Sequence, residues 1–179
     1  MYARKEAQRQ RESGKAKQFR FNGYPVIEYF EMDHPHLNHH LGATAVPIFR
    51  QNYQFGSPDK HYIIVNKNNT PFVKLAGVVH EYAELKTRSH RLALQEEKKF
   101  AVRSGKLSQY YKFKLSMARR VSRELTGTSE IDMQNGKLMK QILRETGLTL
   151  EELRKFSRGK QKPTPRRKVP QVRKARLHV

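Results

Sequence analysis

Four histidines fall within seven residues, at His34, His36, His39 and His40, directly after Asp33. Imidazoles ligate zinc, but a zinc site needs its ligands at fixed spacing on a rigid element, and Pro35 breaks this stretch into a loop. The expectation is a polar loop whose histidines meet phosphate or water, with a transient metal affinity and no functional metal site. Just upstream, Glu28, Glu31 and Asp33 imitate, with His34 and His36, the acid cluster of a metal-dependent nuclease. Such a centre needs carboxylates converging from several elements, and one strand-to-loop segment does not supply them. A third constellation, His80-Glu81, begins as the zinc helix motif His-Glu-x-x-His begins, but Glu84 stands where the second histidine belongs. Walker A, dinucleotide-glycine and Gly-x-Ser-x-Gly motifs are absent, and so is cysteine, which excludes thiolate metal sites and cysteine nucleophiles. The sequence therefore assigns no catalytic residue, no metal ligand and no cofactor, and the chain is expected not to be an enzyme.

Charge carries the stronger signal. There are 37 Lys and Arg against 16 Asp and Glu, a net charge of +21 at pH 7. A chain so charged repels itself and attracts polyanions. Apolar runs at 62–65 and 75–79 are too short to span a bilayer, and neither a lipidation signal nor an amphipathic membrane-surface stretch is evident. No small-molecule substrate is indicated. The start of the chain lacks the apolar region of a secretory signal, and the acids Glu6 and Glu12 make it a poor cleavable mitochondrial presequence. Nucleic acid is the partner that the charge suggests.

The elements that must carry this charge follow from periodicity. Residues 1–20 read as a basic arm, helical as far as Gly14, with no apolar face and no core to join. Residues 26–30, 47–55, 61–66 and 70–76 read as strands, the last two joined into a hairpin by the turn Lys67-Asn68-Asn69. The expectation is an α+β fold: a small antiparallel sheet of three or four strands in 24–79, with helices over 79–126 packed on one face. Residues 78–125 hold twelve Lys and Arg against five Glu. Tyr110, Phe113, Met117, Val121 and Leu125 form one apolar stripe there, while Lys112, Arg119, Arg120 and Arg123 lie on the other face. Glu84 and Arg88 fall at i,i+4, and Ser104-Gly105 predicts a break. Gly127 ends the helical stretch. A helical hairpin follows over 136–157, with Gly147 at the C-terminal cap of its first helix and Thr149 and Glu152 forming a capping box at the start of its second. The domain reading is an arm (1–20), a core (21–156) and an extended basic tail (157–179) with nine Lys and Arg, no acid and three prolines.

Charge spread over nearly every segment, with basic ends that cannot fold alone, resembles the style of ribosomal proteins as a class. The resemblance is compositional and architectural and carries no family motif. It implies a structural RNA-binding component of a ribosome, mitochondrial in this reading, that scaffolds ribosomal RNA and neighbouring ribosomal proteins. A cytoplasmic or nuclear ribonucleoprotein is the alternative location, with Arg166-Arg167-Lys168 as a rival nuclear-localisation signal. The phosphate-binding candidates are Arg4, Lys5, Arg9, Arg11, Lys15, Lys17 and Arg20 in the arm, Lys112, Arg119, Arg120 and Arg123 in the helix, and Arg158, Lys160, Lys162, Arg166, Arg167, Lys168, Arg173, Lys174 and Arg176 in the tail. Tyr110 or Tyr111 is a candidate for stacking on an unpaired base, with core packing expected for at least one of them. The alternative function is a DNA-binding helix-turn-helix that reads with residues 150–158, although Glu151 and Glu152 place negative charge where such a helix meets DNA.

Overall fold

The apolar run Tyr62-Ile63-Ile64-Val65 lies in a strand, His61–Asn66, whose six residues are all buried. A strand buried at every position has cover on both faces. The computed structural model describes residues 2–21, 23–33, 43–47 and 57–158. In chain order these form α1 (Tyr2–Glu12), β1 (Lys17–Phe19), β2 (Ile27–Met32), β3 (Ala43–Pro47), β4 (His61–Asn66), α2 (Pro71–Thr87), α3 (His90–Arg103), α4 (Leu107–Thr126), α5 (Gly136–Thr146) and α6 (Leu150–Arg158).

The fold is α+β, and the sheet order is β1-β2-β4-β3. β1 and β3 run antiparallel to their neighbours, but β2 and β4 are parallel, with Tyr29 opposite Ile63 and Met32 opposite Asn66. This corrects the antiparallel expectation. The β2 to β4 connection is long enough to return to the same end of the sheet, which parallel pairing requires.

Side-chain alternation splits the sheet into two faces. Ile27, Tyr29, Ile63 and Val65 pack with Val78 and Leu85 of α2. Phe30, Met32, Tyr62 and Ile64 pack with Ala7 of α1 on the other face. The expectation of an arm with no core to join is thereby corrected: Ala7 is fully buried, and a small side chain suffices for close approach of a helix to a sheet. Arg11 reinforces the contact, with its guanidinium 4.8 Å from the Tyr62 ring centre and 2.6 Å from the Glu28 carboxylate.

Residues 70–76 are also corrected. They belong to α2, with Thr70 as N-cap and Pro71 in its first turn, a position that suits proline's fixed φ and missing N–H. The turn at 67–69 is present, closed by the Asn68 N–H donating to the Asn66 side chain, but it leads into a helix and closes no hairpin. The helical stretch expected from residue 78 is divided twice. Arg88 adopts a left-handed φ of 59° and caps α2, and Gly105 (φ 63°) separates α3 from α4. Phe21, Phe72 and Phe100 cluster where the sheet meets α2 and α3. The helical hairpin forms at its expected place and packs on α4 through Leu138, Met139, Ile142 and Leu153. Its capping box is made: the Thr149 N–H donates to Glu152 and the Glu152 N–H donates to the Thr149 hydroxyl. No helix among the described residues is long and apolar enough to cross a membrane.

Candidate metal centre

Gly77 sets the site up. A methyl group there would stand 2.7 Å from the Ala43 Cβ. Its absence lets α2 lie directly against β3, one turn before His80 and Glu81. The left-handed Arg88 then turns the chain, Ser89 caps α3 by accepting the Leu92 N–H, and α3 packs along α2. His90, at the start of α3, thereby returns to His80, with ring centres 4.9 Å apart.

The carboxylate of Glu84 lies between them. Its Oε2 is 3.2 Å from His80 Nε2 and 3.4 Å from His90 Nδ1. One donor atom from each of the three residues falls within 4.8 Å of the others. Zinc bonds of ~2.0–2.1 Å in a tetrahedron place ligand atoms about 3.3–3.4 Å apart, a spacing that the three donor atoms, within 4.8 Å of one another, could reach by small side-chain adjustments. These side chains line one wall of a cavity of about 370 Å³. Glu81 lines it as well, with Ala43 and Thr44 of β3, Arg120 of α4 and Glu145 of α5.

Behind this wall lies a fully buried set of charges. His80 Nδ1 is 3.2 Å from Glu97 Oε2, and the Lys114 ammonium donates to the same oxygen at 2.8 Å. Lys114 is 0% exposed and Glu97 1%. Burial opposes a charged imidazole at His80, but the carboxylates of Glu84 and Glu97 outweigh it and hold its pKa up at about 9. Glu84 is held down at about 2 by hydrogen bonds from the two histidines. Removal from water pushes Glu81 up to about 7, and Glu84 nearby adds to the rise. Burial opposes ionisation of Glu97, yet Lys114 and His80 keep its pKa below the usual range. Lys114 is lowered by its burial, with Glu97 pulling the other way.

None of these donors was assigned from the sequence. Of the ligands only His80 breaks the apolar stripe of its helix, among Ala76, Val79 and Ala83, as do Glu97 among Ala93, Leu94 and Phe100 and Lys114 among Tyr110, Met117 and Val121 behind it. A charge inside an apolar stripe needs a buried partner, and that signal was there to be found.

The phosphate-binding candidates stand elsewhere. Arg4 and Lys5 lie on α1, and Lys15 and Arg20 are exposed beside β1. Arg9 pairs with Glu6, Arg11 with Glu28, and Lys17 with Glu31, which also holds Lys74. Of the α4 candidates, Lys112 is exposed, Arg119 is partly buried, Arg120 pairs with Glu124, and Arg123 donates to Ser129. Arg158 is the last residue of α6. Lys160, Lys162, Arg166, Arg167, Lys168, Arg173, Lys174 and Arg176 lie outside the described residues, as do His34, His36, His39 and His40. Tyr110 is buried, and Tyr111 stacks on Phe156 at 4.3 Å while its hydroxyl donates to Glu152. Comparison with protein-family models, with curated proteins and with solved structures finds no match to this chain.

Proposed function

We propose that the chain is a divalent-metal-dependent hydrolase, with His80, Glu84 and His90 as zinc ligands and Glu81 as general base. The observation that carries this reading is the convergence of two imidazoles and one carboxylate, from two helices, on the wall of a cavity that Glu81 shares. Two histidines and a carboxylate make a catalytic zinc donor set that leaves a coordination position open. Ferrous iron accepts the same set in an octahedral arrangement, where neighbouring ligands stand about 3.0 Å apart. When bound, the cation supplies Lewis acidity towards a polarisable substrate oxygen. Glu81, one residue beyond His80, takes the proton of the attacking water and returns it to the leaving group. Arg120 brings a guanidinium to the same cavity, for negative charge that develops in the transition state.

The test is hydrolysis by the zinc-loaded full chain, assayed on a panel of peptide, ester and phosphodiester probes. The parent is expected to cleave one class, and Glu81→Gln to keep its zinc while losing about 10²- to 10⁴-fold in rate. Zinc-dependent cleavage undiminished in Glu81→Gln would contradict the assignment.

The charge supports a second reading. A net +21, with exposed cations such as Lys5, Lys15, Arg20 and Lys112, favours a structural RNA-binding component of a ribosome, mitochondrial or otherwise. In that reading the basic helix faces and terminal segments hold ribosomal RNA, and the apolar helix faces hold neighbouring ribosomal proteins. The helical hairpin is the part that a DNA-binding alternative would use. Its Glu152 is engaged within the protein, by Lys98 and Tyr111.

A further inference from the structure

Lys114 sits on the basic helix α4, yet its side chain is fully buried. Burying an ammonium is costly unless it is paired, and apolar replacement of a buried pair is often neutral or stabilising. Stability alone therefore gives little reason for a Lys114–Glu97 pair at this place. Geometry gives another. Both Lys114 and His80 are directed at one atom, Glu97 Oε2, while Oε1 has no hydrogen-bond partner among the described residues. The ammonium thus selects which carboxylate oxygen faces the imidazole. The other ring nitrogen of His80, Nε2, faces Glu84 and the cavity side. Histidines that ligate metals generally donate their second N–H to a carboxylate, which fixes the tautomer and the ring plane.

We infer that Lys114 is a positioning residue of the metal centre: by locking Glu97 Oε2 onto His80 Nδ1–H, it keeps His80 Nε2 turned to the metal. The inference rests on the metal-centre reading and adds a third helix to it. Through Lys114, the packing of α4 decides whether His80 is a competent ligand. Neither the ligands nor their spacing along α2 and α3 would show that dependence.

The test uses the full chain and zinc alone as probe, with competition by a chromophoric chelator and long-range ¹H–¹⁵N spectra of the histidine rings. Lys114→Met by itself strands the Glu97 charge and endangers folding. The informative variant is Lys114→Met with Glu97→Gln, which removes both charges and keeps the shapes. It is expected to melt at or above the temperature of the metal-free parent and to bind zinc about 10- to 100-fold more weakly. Free of zinc, its His80 should show the proton shared between Nδ1 and Nε2, where the zinc-free parent keeps Nδ1 protonated against Glu97. A folded double variant with parental zinc affinity and parental His80 signals would overturn the inference and leave the metal centre intact. A parent that takes up no zinc would overturn the metal reading and this inference together.

Discussion

His80 Nδ1 lies 3.2 Å from the Glu97 carboxylate, and both side chains are almost completely shielded from water. Glu97 is 17 residues from His80 along the chain, and Lys114 a further 17 from Glu97. Three consecutive helices thus each place one charged side chain at a common point. On its cavity side, the same imidazole meets Glu84 at 3.2 Å. One histidine joins the interior of the protein to the wall of its cavity.

Glu152 governs the acid limit of the helical hairpin. It completes the capping box of α6 and also takes the Lys98 ammonium at 2.6 Å and the Tyr111 hydroxyl at 2.7 Å. Partial burial works against its ionisation, but Lys98, the Thr149 N–H and Tyr111 prevail and hold its pKa at about 2, below the ordinary 4.5. A depressed carboxylate stabilises the fold above its unfolded pKa. This contribution is therefore present above pH 4.5 and is lost as pH falls towards 2. Glu152→Gln should remove that part of the acid transition and cost about 1–3 kcal/mol at pH 7. Urea titrations at pH 7 and pH 3 check this; an equal deficit at both pH values would contradict it.

Gly77→Ala should lower the melting temperature. Alanine favours a helix by about 1 kcal/mol over glycine, but overpacking a close contact costs about 1–3 kcal/mol. With the new methyl 2.7 Å from the Ala43 Cβ, the clash outweighs the propensity. A net loss of up to about 2 kcal/mol is expected, and Ala43→Gly in the same chain should recover most of it. Calorimetry of the parent, the single and the double variant decides; a single variant melting above the parent would show that α2 and β3 have room.

Much of the helical region was legible. The hairpin, its capping box, Gly147, the break at Gly105 and the end at Gly127 all have local causes that are written in adjacent residues. The parallel β2–β4 pair was not, because strand direction depends on where a long connection leads. Residues 70–76 misled through Val73 and Leu75, although Phe72, Ala76 and Val79 repeat at helical spacing and Thr70-Pro71 is a helix start. The candidate metal centre was half visible. His80, Glu81 and Glu84 stood on one expected helix, but the third donor arrives only because Arg88 takes a left-handed turn. Lys114 enters the sequence reading only through the count of Lys and Arg over 78–125, because nothing adjacent in sequence shows that it meets Glu97 of another helix.

Exposed cations should still bind polyanions. If ten phosphates are engaged, the logarithm of RNA affinity should fall against the logarithm of salt with a slope of about −7 to −9. Lys112→Ala should reduce that slope by about one. Filter binding of the full chain across salt measures it. A slope near zero would remove the support that charge gives to the ribosomal reading, and an unchanged slope in the variant would place Lys112 outside the RNA contact.

The most direct measurement is calorimetric zinc titration of the metal-free full chain, with His90→Ala in parallel. His90 is partly exposed at the start of α3, so its truncation should leave the fold in place. A zinc site at His80, Glu84 and His90 requires one zinc per chain for the parent, a melting temperature that rises with zinc, and loss of both in His90→Ala. Absence of stoichiometric zinc uptake by the folded parent, or equal uptake by His90→Ala, would contradict it.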